Sequence, residues 1–255
     1  MLIINADDFG LDNDTNNAIA EAFSLGLCTS TTIMANGKAF CEAVSIAREL
    51  RFLNKIGVHI NLSDFYPLTS DMMDSRVFCN NDGAFNKLWR QKYKAGIYIS
   101  KSLEYLLINE LKAQIERCIS EGITPTHIDS HTHIHTLPGI CKIVCDVARK
   151  YSINKIRISR NCGFVGMTQY KILYKYLFNK KLRMKGFKTT DYFGSIDDVK
   201  ALQNKYPDIS KYKSIEIMCH PRKQGHDIVD LNGLPLKNQI LSTLNNDLAV
   251  SYLDL

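Results

Sequence analysis

The sequence has no apolar run long enough to cross a bilayer, which excludes a helical membrane-spanning protein. Residues 1–6 lack the charged start and long apolar stretch of a secretion leader. They read instead as a short buried strand. The 8 cysteines form no CxxC pair and no framework spacing, which argues against a disulfide scaffold. Most lie in apolar patterns and are expected to be reduced and buried; Cys141 and Cys145 would share a helix face in packing. A cytoplasmic location is the resulting expectation. There is no zinc-finger or RNP signature and the net charge of +6 is mild, so no nucleic-acid partner is expected. No internal repeat is visible, and tryptophan occurs once, at Trp89.

Strand-like and helix-like segments, by contrast, alternate throughout. Strands are predicted at 1–6, 29–35, 55–62, 126–130, 155–159, 188–193, 214–219 and 249–253. Helices are predicted at 14–25, 39–50, 101–120, 138–151, 196–205 and near Asn238. This order implies a parallel sheet covered by helices, an α/β fold of the distorted (β/α) barrel, TIM-like kind. A single domain over 1–255 is expected.

Four of the 7 histidines fall in Thr126-His-Ile-Asp-Ser-His-Thr-His-Ile-His135, beside a carboxylate. Imidazole and carboxylate are what a divalent cation binds. Strand alternation sends His127, Asp129 and His131 to one face. Asp7 and Asp8 follow the first strand, His59 lies late in the third, His131 follows the fourth, and His220 follows the seventh. All of these lie at or near carboxyl ends of strands, the rim on which such barrels build active sites. Adjacent Asp7 and Asp8 repel one another unless a cation or a shared proton relieves them. With His59 and His131 they offer a carboxylate and two imidazoles, leaving open positions for water and substrate. A receiver domain also carries acids after its first strand, but is much shorter and leaves the histidines unexplained.

The segments NADDFGL (5–11), TSTT (29–32) with Asn36-Gly37, GVHINL (57–62), PTHIDSHTHIH (125–135), EIMCHP (216–221) and SYLD (251–254) occur in order across the chain. In these it resembles the YdjC-like carbohydrate deacetylases, a family that includes chitooligosaccharide deacetylase. The resemblance implies a distorted (β/α) barrel that removes N-acetyl groups from sugars with a divalent metal, magnesium in the family and zinc on ligand chemistry. It implies Asp7 as general base and Asp8, His59 and His131 as metal ligands. Thr132 stands where the family often has another histidine. His220 is the best-placed proton donor to the departing amine, and Asp129 would orient a ligand imidazole. His127 and His133 are left for supporting or substrate contacts. The implied partner is an N-acetylated sugar or oligosaccharide; self-association into a homo-oligomer is left open.

Two rival readings are a metal-dependent hydrolase of the amidohydrolase or phosphoesterase type, using His131-Thr132-His133 as an HxH pair, and an inactive carbohydrate-binding protein. The irregular segment 63–96 leaves the metal rim directly after His59 and is expected to wall the substrate site. There Phe65, Tyr66, Phe85 and Trp89 offer faces for a sugar ring, or else pin the excursion to the barrel. In segment 171–188, lysines and one arginine interleave with Ile172, Leu173, Tyr174, Tyr176, Leu177 and Phe178. It is expected to be a solvated helix face over a core stripe, the alternative being contact with an anionic substrate or membrane surface.

Overall fold

The computed structural model describes residues 1–87, 89, 99–163, 167–244 and 249–255; the far end of the expected 63–96 excursion, including Gly96, lies outside them. Strand β1 (Leu2–Phe9) is buried along its whole length, as befits a parallel strand covered on both faces. It pairs with β2 (Ser30–Ile33) on one side and with β6 (Ile215–Cys219) on the other, both parallel. Beyond β2 come β3 (Ile56–Ile60) and β4 (Ile128–Ser130); beyond β6 comes β5 (Tyr192–Ser195). The order β4-β3-β2-β1-β6-β5 makes a curled parallel sheet, with the short β9 (Ala249–Val250) beside the start of β1. The fold is α/β, a distorted (β/α) barrel.

Helices cover the outside: α1 (Asn13–Ser24), α2 (Phe40–Glu49), the one-turn α3 (Ser70–Met73), α4 (Lys101–Ser120), α5 (Pro138–Lys150), α6 (Gln169–Met184), α7 (Ile196–Lys205), the short α8 (Ile209–Tyr212) and α9 (Leu236–Leu244). Their ends follow local chemistry. Asp12 caps α1 by accepting from the Thr15 backbone N–H, Pro138 opens α5, and Ser195 with Asp198 forms a capping box on α7.

Several expected strands are shortened, among them 249–253 to Ala249–Val250 and 126–130 to Ile128–Ser130. The 155–159 segment is held by single bridges, Ile128 to Ile156 on one side and Lys155 to Lys188 on the other. Its backbone bonds in turn to β4 and to Lys188, so it carries the curve round without a continuous ladder. The strand expected at 188–193 begins regular pairing only at Tyr192. The hairpin of β7 (Arg222–Gln224) and β8 (Asp227–Val229) is an addition to the sequence-based layout. Close approach shapes the floor of the barrel: a Cβ on Gly57 would sit 2.5 Å from the His127 ring.

Candidate active site

Neighbouring strand residues normally point to opposite faces. The pairing register of β1 with β2 slips between Ala6 and Phe9, and Asp8 adopts φ 71. This bulge breaks the alternation, and both Asp7 and Asp8 reach the interior of the rim. Left-handed backbone at a non-glycine costs about 1 kcal/mol or more and is kept where the surroundings impose it.

Asp8 Oδ1 lies 3.2 Å from Nε2 of His59 and 2.8 Å from Nδ1 of His131. The far side of each imidazole also meets a carboxylate: Asp129 Oδ1 is 2.7 Å from His59 Nδ1, and Asp64 Oδ2 is 3.3 Å from His131 Nε2. Burial alone would lower His59, yet Asp129 and Asp8 push it up to about 10. His131 is likewise raised against its burial, by Asp64 and Asp8. Burial would raise Asp8, but the two imidazoles hold its carboxyl far below the usual range.

Asp7 is fixed differently. The fully buried Arg157 grips both its oxygens, Nη1 to Oδ2 at 2.6 Å and Nη2 to Oδ1 at 2.7 Å, while Asn5 Nδ2 donates to Oδ1 at 2.9 Å. Burial opposes ionisation, but this guanidinium outweighs it and keeps Asp7 charged. Arg157 also reaches Asp129 Oδ2 at 2.5 Å and Glu216 Oε1 at 2.8 Å. Glu216 accepts from the Tyr252 hydroxyl at 2.5 Å.

His220 follows β6, the strand beside β1; its backbone N–H donates to Asp230 Oδ1 at 2.7 Å. His133 lies on the same side of the mouth as Phe193, edge-on at 5.9 Å, with Nδ1 unpartnered and burial lowering it to about 3. It borders a cavity of about 250 Å³ with Thr136, Ser159, Arg160, Tyr174 and Phe193.

Packing places three of the expected groups. The His127 ring stacks on Tyr252 at 3.5 Å, fully buried in the floor. Of the two readings of Trp89, its surroundings favour packing. It is 3% exposed, donates Nε1–H to Leu62 O at 2.8 Å and meets Phe78 edge-on, and Phe85 is buried with it. Apolar burial won, and both rings pin the excursion; Tyr66 remains exposed. The HxH pair is also not assembled. Thr132 and His133 both take left-handed backbone (φ 53 and 57), which turns His133 away from the donor groups. Among the described residues those groups are Asp8, His59 and His131, and Asp7, His59 and Asp129.

The profile of the YdjC-like protein family matches residues 1–243. The chain belongs to this family. Among its relatives, a Clostridium beijerinckii protein named carbohydrate deacetylase is 30% identical over 254 residues, covering 99% of this chain and 94% of the relative. A carbohydrate deacetylase of Vibrio campbellii is 31% identical over 94% of this chain and 85% of its own length. In fold, the chain is similar to a crystal structure from Enterococcus faecalis, provisionally named for cellobiose-phosphate cleavage. The TM-score is 0.73 at 23% identity, covering 99% of this chain and 97% of that one.

For this YdjC-like chain, the donor set fits a divalent cation. Three carboxylates, Asp7, Asp8 and Asp129, act on His59 and draw a proton onto it; a cation would satisfy the same charge deficit. Arg157, Glu216, Asp64 and Arg222 were missed by sequence reasoning. Arg222 Nη2 lies 3.6 Å from Asp8 Oδ2, delivered by the β7–β8 hairpin. A signal existed for two of them: Arg157 between Ile156 and Ile158, and Glu216 between Ile215 and Ile217, are lone charges in buried apolar segments. Charges so placed need partners across the barrel.

Proposed function

We propose that this chain is a metal-dependent carbohydrate N-deacetylase, hydrolysing the acetamido group of an N-acetylated sugar or oligosaccharide. The observation that carries the reading is the convergence of Asp8, His59 and His131 at one rim, with Asp7 beside them but bound to a different partner. What the relatives' names say of their activity agrees with it.

An acetamide resists hydrolysis because its carbonyl is a poor electrophile and its amine a poor leaving group. A magnesium or zinc ion held by Asp8, His59 and His131 would supply Lewis acidity at that carbonyl and make water acidic. Asp7, kept ionised and oriented by Arg157, accepts the proton of the attacking water, a role worth roughly 10²–10⁴ in rate. The clamp costs Asp7 some basicity but leaves it no choice of direction. His220, at the end of β6 next to the strand that carries Asp7, returns a proton to the departing amine. Asp129 and Asp64 hold the two imidazoles at their outer nitrogens. The cavity beside His133 receives the sugar, and Tyr66 offers an exposed ring at the rim.

The test is mass spectrometry on a panel of N-acetylated sugars, with magnesium, zinc or chelator. Loss of about 42 Da, acetyl replaced by hydrogen, is the covalent outcome of acyl hydrolysis. Metal-dependent loss on at least one sugar is expected. Cleavage of a phosphate ester or glycosidic bond instead, with acetyl groups intact, would overturn the reading.

A further inference from the structure

We propose that α6 seats this protein on an anionic lipid bilayer, with the mouth of the candidate site beside the contact. The membrane contact stands apart from the deacetylase reading; only its use for a lipid-borne sugar rests on that reading. In the helix expected over 171–188 the core stripe is present but narrow. Of the helix Gln169–Met184, only Phe178, Asn179 and Leu182 are buried. Tyr170 and Met184 are each 78% exposed, Leu173 55% and Leu177 53%. Steps of three, four and seven residues place these four on one outward stripe of an α-helix. Water is thus offered an apolar face opposite the one packed on the barrel.

The charge around that stripe has one sign. Residues 169–188 hold Lys171, Lys175, Lys180, Lys181, Arg183, Lys185 and Lys188 and no Asp or Glu. These seven cations exceed the net charge of the whole chain, +6, so the rest of the protein is close to neutral and its positive charge is local. By helical position Lys180 and Lys181 flank the outward stripe on its two sides. Long lysine stems can lie along an apolar face while the ammonium groups reach out to phosphates. The helix is 16 residues, about 24 Å, long enough to lie in a headgroup layer. Next to the stripe, Ile172, Leu173, Tyr176 and Arg183 line a groove of about 490 Å³, into which a lipid chain or glycerol backbone fits.

Charge decides the occupant. A second copy meeting this one through α6 would set two blocks of cations against each other, whereas anionic headgroups neutralise them. Position gives the contact a use. The other flank of α6 sends Lys171, Tyr174 and Lys175 into the cavity that holds His133 and Phe193. Docking by the outward stripe therefore brings that cavity to the membrane surface, where a sugar carried on a lipid would be presented.

The test is co-sedimentation of the full chain with vesicles of phosphatidylcholine alone, or mixed two to one with phosphatidylglycerol. Binding to the mixed vesicles is expected, with none to phosphatidylcholine, and at least tenfold weaker partition when salt rises from about 0.05 to 0.5 M. L177E with M184E, at two exposed positions outside both cavities, should weaken partition at least tenfold while leaving the melting temperature in place. Lys180→Ser with Lys181→Ser should weaken it as well. Failure to bind the mixed vesicles at low salt overturns the proposal. So does binding that the apolar double variant leaves unchanged, since the attraction is then diffuse charge alone. A concentration-dependent dimer in sedimentation, abolished by L177E with M184E, would assign the stripe to a second copy and overturn it equally.

Discussion

Asp129 Oδ1 lies 2.7 Å from Nδ1 of His59. That contact sets which ring nitrogen can serve a cation: with Nδ1–H donated to Asp129, Nε2 faces Asp8, and a cation that displaces its proton takes the lone pair. Asp129→Asn removes the charge and can present an N–H where an acceptor is needed. We expect divalent affinity to fall about 10–100-fold, the usual loss when a partner of a ligating imidazole is removed. Titration calorimetry checks it, and the wild-type protein should release protons from His59 and His131 as the ion enters. An unchanged affinity would show that the imidazole is oriented by something else.

Asp7 and Asp8 share a strand but not a partner. Asp7→Asn keeps the donor group of Asp8, His59 and His131, so metal content should be retained while kcat falls about 10²–10⁴-fold with KM little changed. Asp8→Asn should lose the ion. Metal analysis paired with kinetics on the two variants is decisive: if Asp7→Asn loses the ion and Asp8→Asn keeps it, the two roles are exchanged.

The alternation of elements was legible because each strand and helix carries its own period, and helices 101–120 and 196–205 match the structure at both ends. The rim was legible because Asp8, His59 and His131 occupy strand ends. Hidden were features made by contacts distant in sequence. Nothing local shows that Arg157 meets Asp7, 150 residues away, or that Asp64 meets His131. The bulge at Asp8 was hidden for another reason: left-handed backbone at an aspartate is imposed by the surroundings, not by the residue type. Trp89 was left with two readings because an aromatic residue reads alike as a platform and as packing, and only burial separates the two.

Trp89→Ala should therefore act on stability. Its ring is enclosed by Phe78 and its Nε1–H is spent on Leu62 O, so truncation leaves a cavity and an unpaired carbonyl. A loss of about 3–5 kcal/mol is expected, seen as a lower denaturant midpoint. The protein that remains folded at low temperature should keep its KM and its sugar preference. A shifted sugar preference with unchanged stability would restore Trp89 to the substrate site.

Glu216 gives the clearest pH signature. Burial pushes its carboxyl up to about 7, against the pull of Arg157 and the Tyr252 hydroxyl. The fold therefore favours the protonated form, which leaves Arg157's charge to Asp7 and Asp129. Because the folded value lies above the unfolded one of 4.5, this group's contribution is complete below about pH 4.5 and is lost as pH rises through 7. Glu216→Gln stays neutral at every pH. The stability difference between wild type and this variant should fall by about 1–3 kcal/mol between pH 4 and 8, since a tenfold change in proton affinity corresponds to about 1.4 kcal/mol. Denaturant midpoints across that range measure it, and the other titrating groups, present in both proteins, largely cancel. A flat difference would mean that Glu216 is already ionised against Arg157, so that the guanidinium divides its charge among three carboxylates and holds Asp7 less firmly.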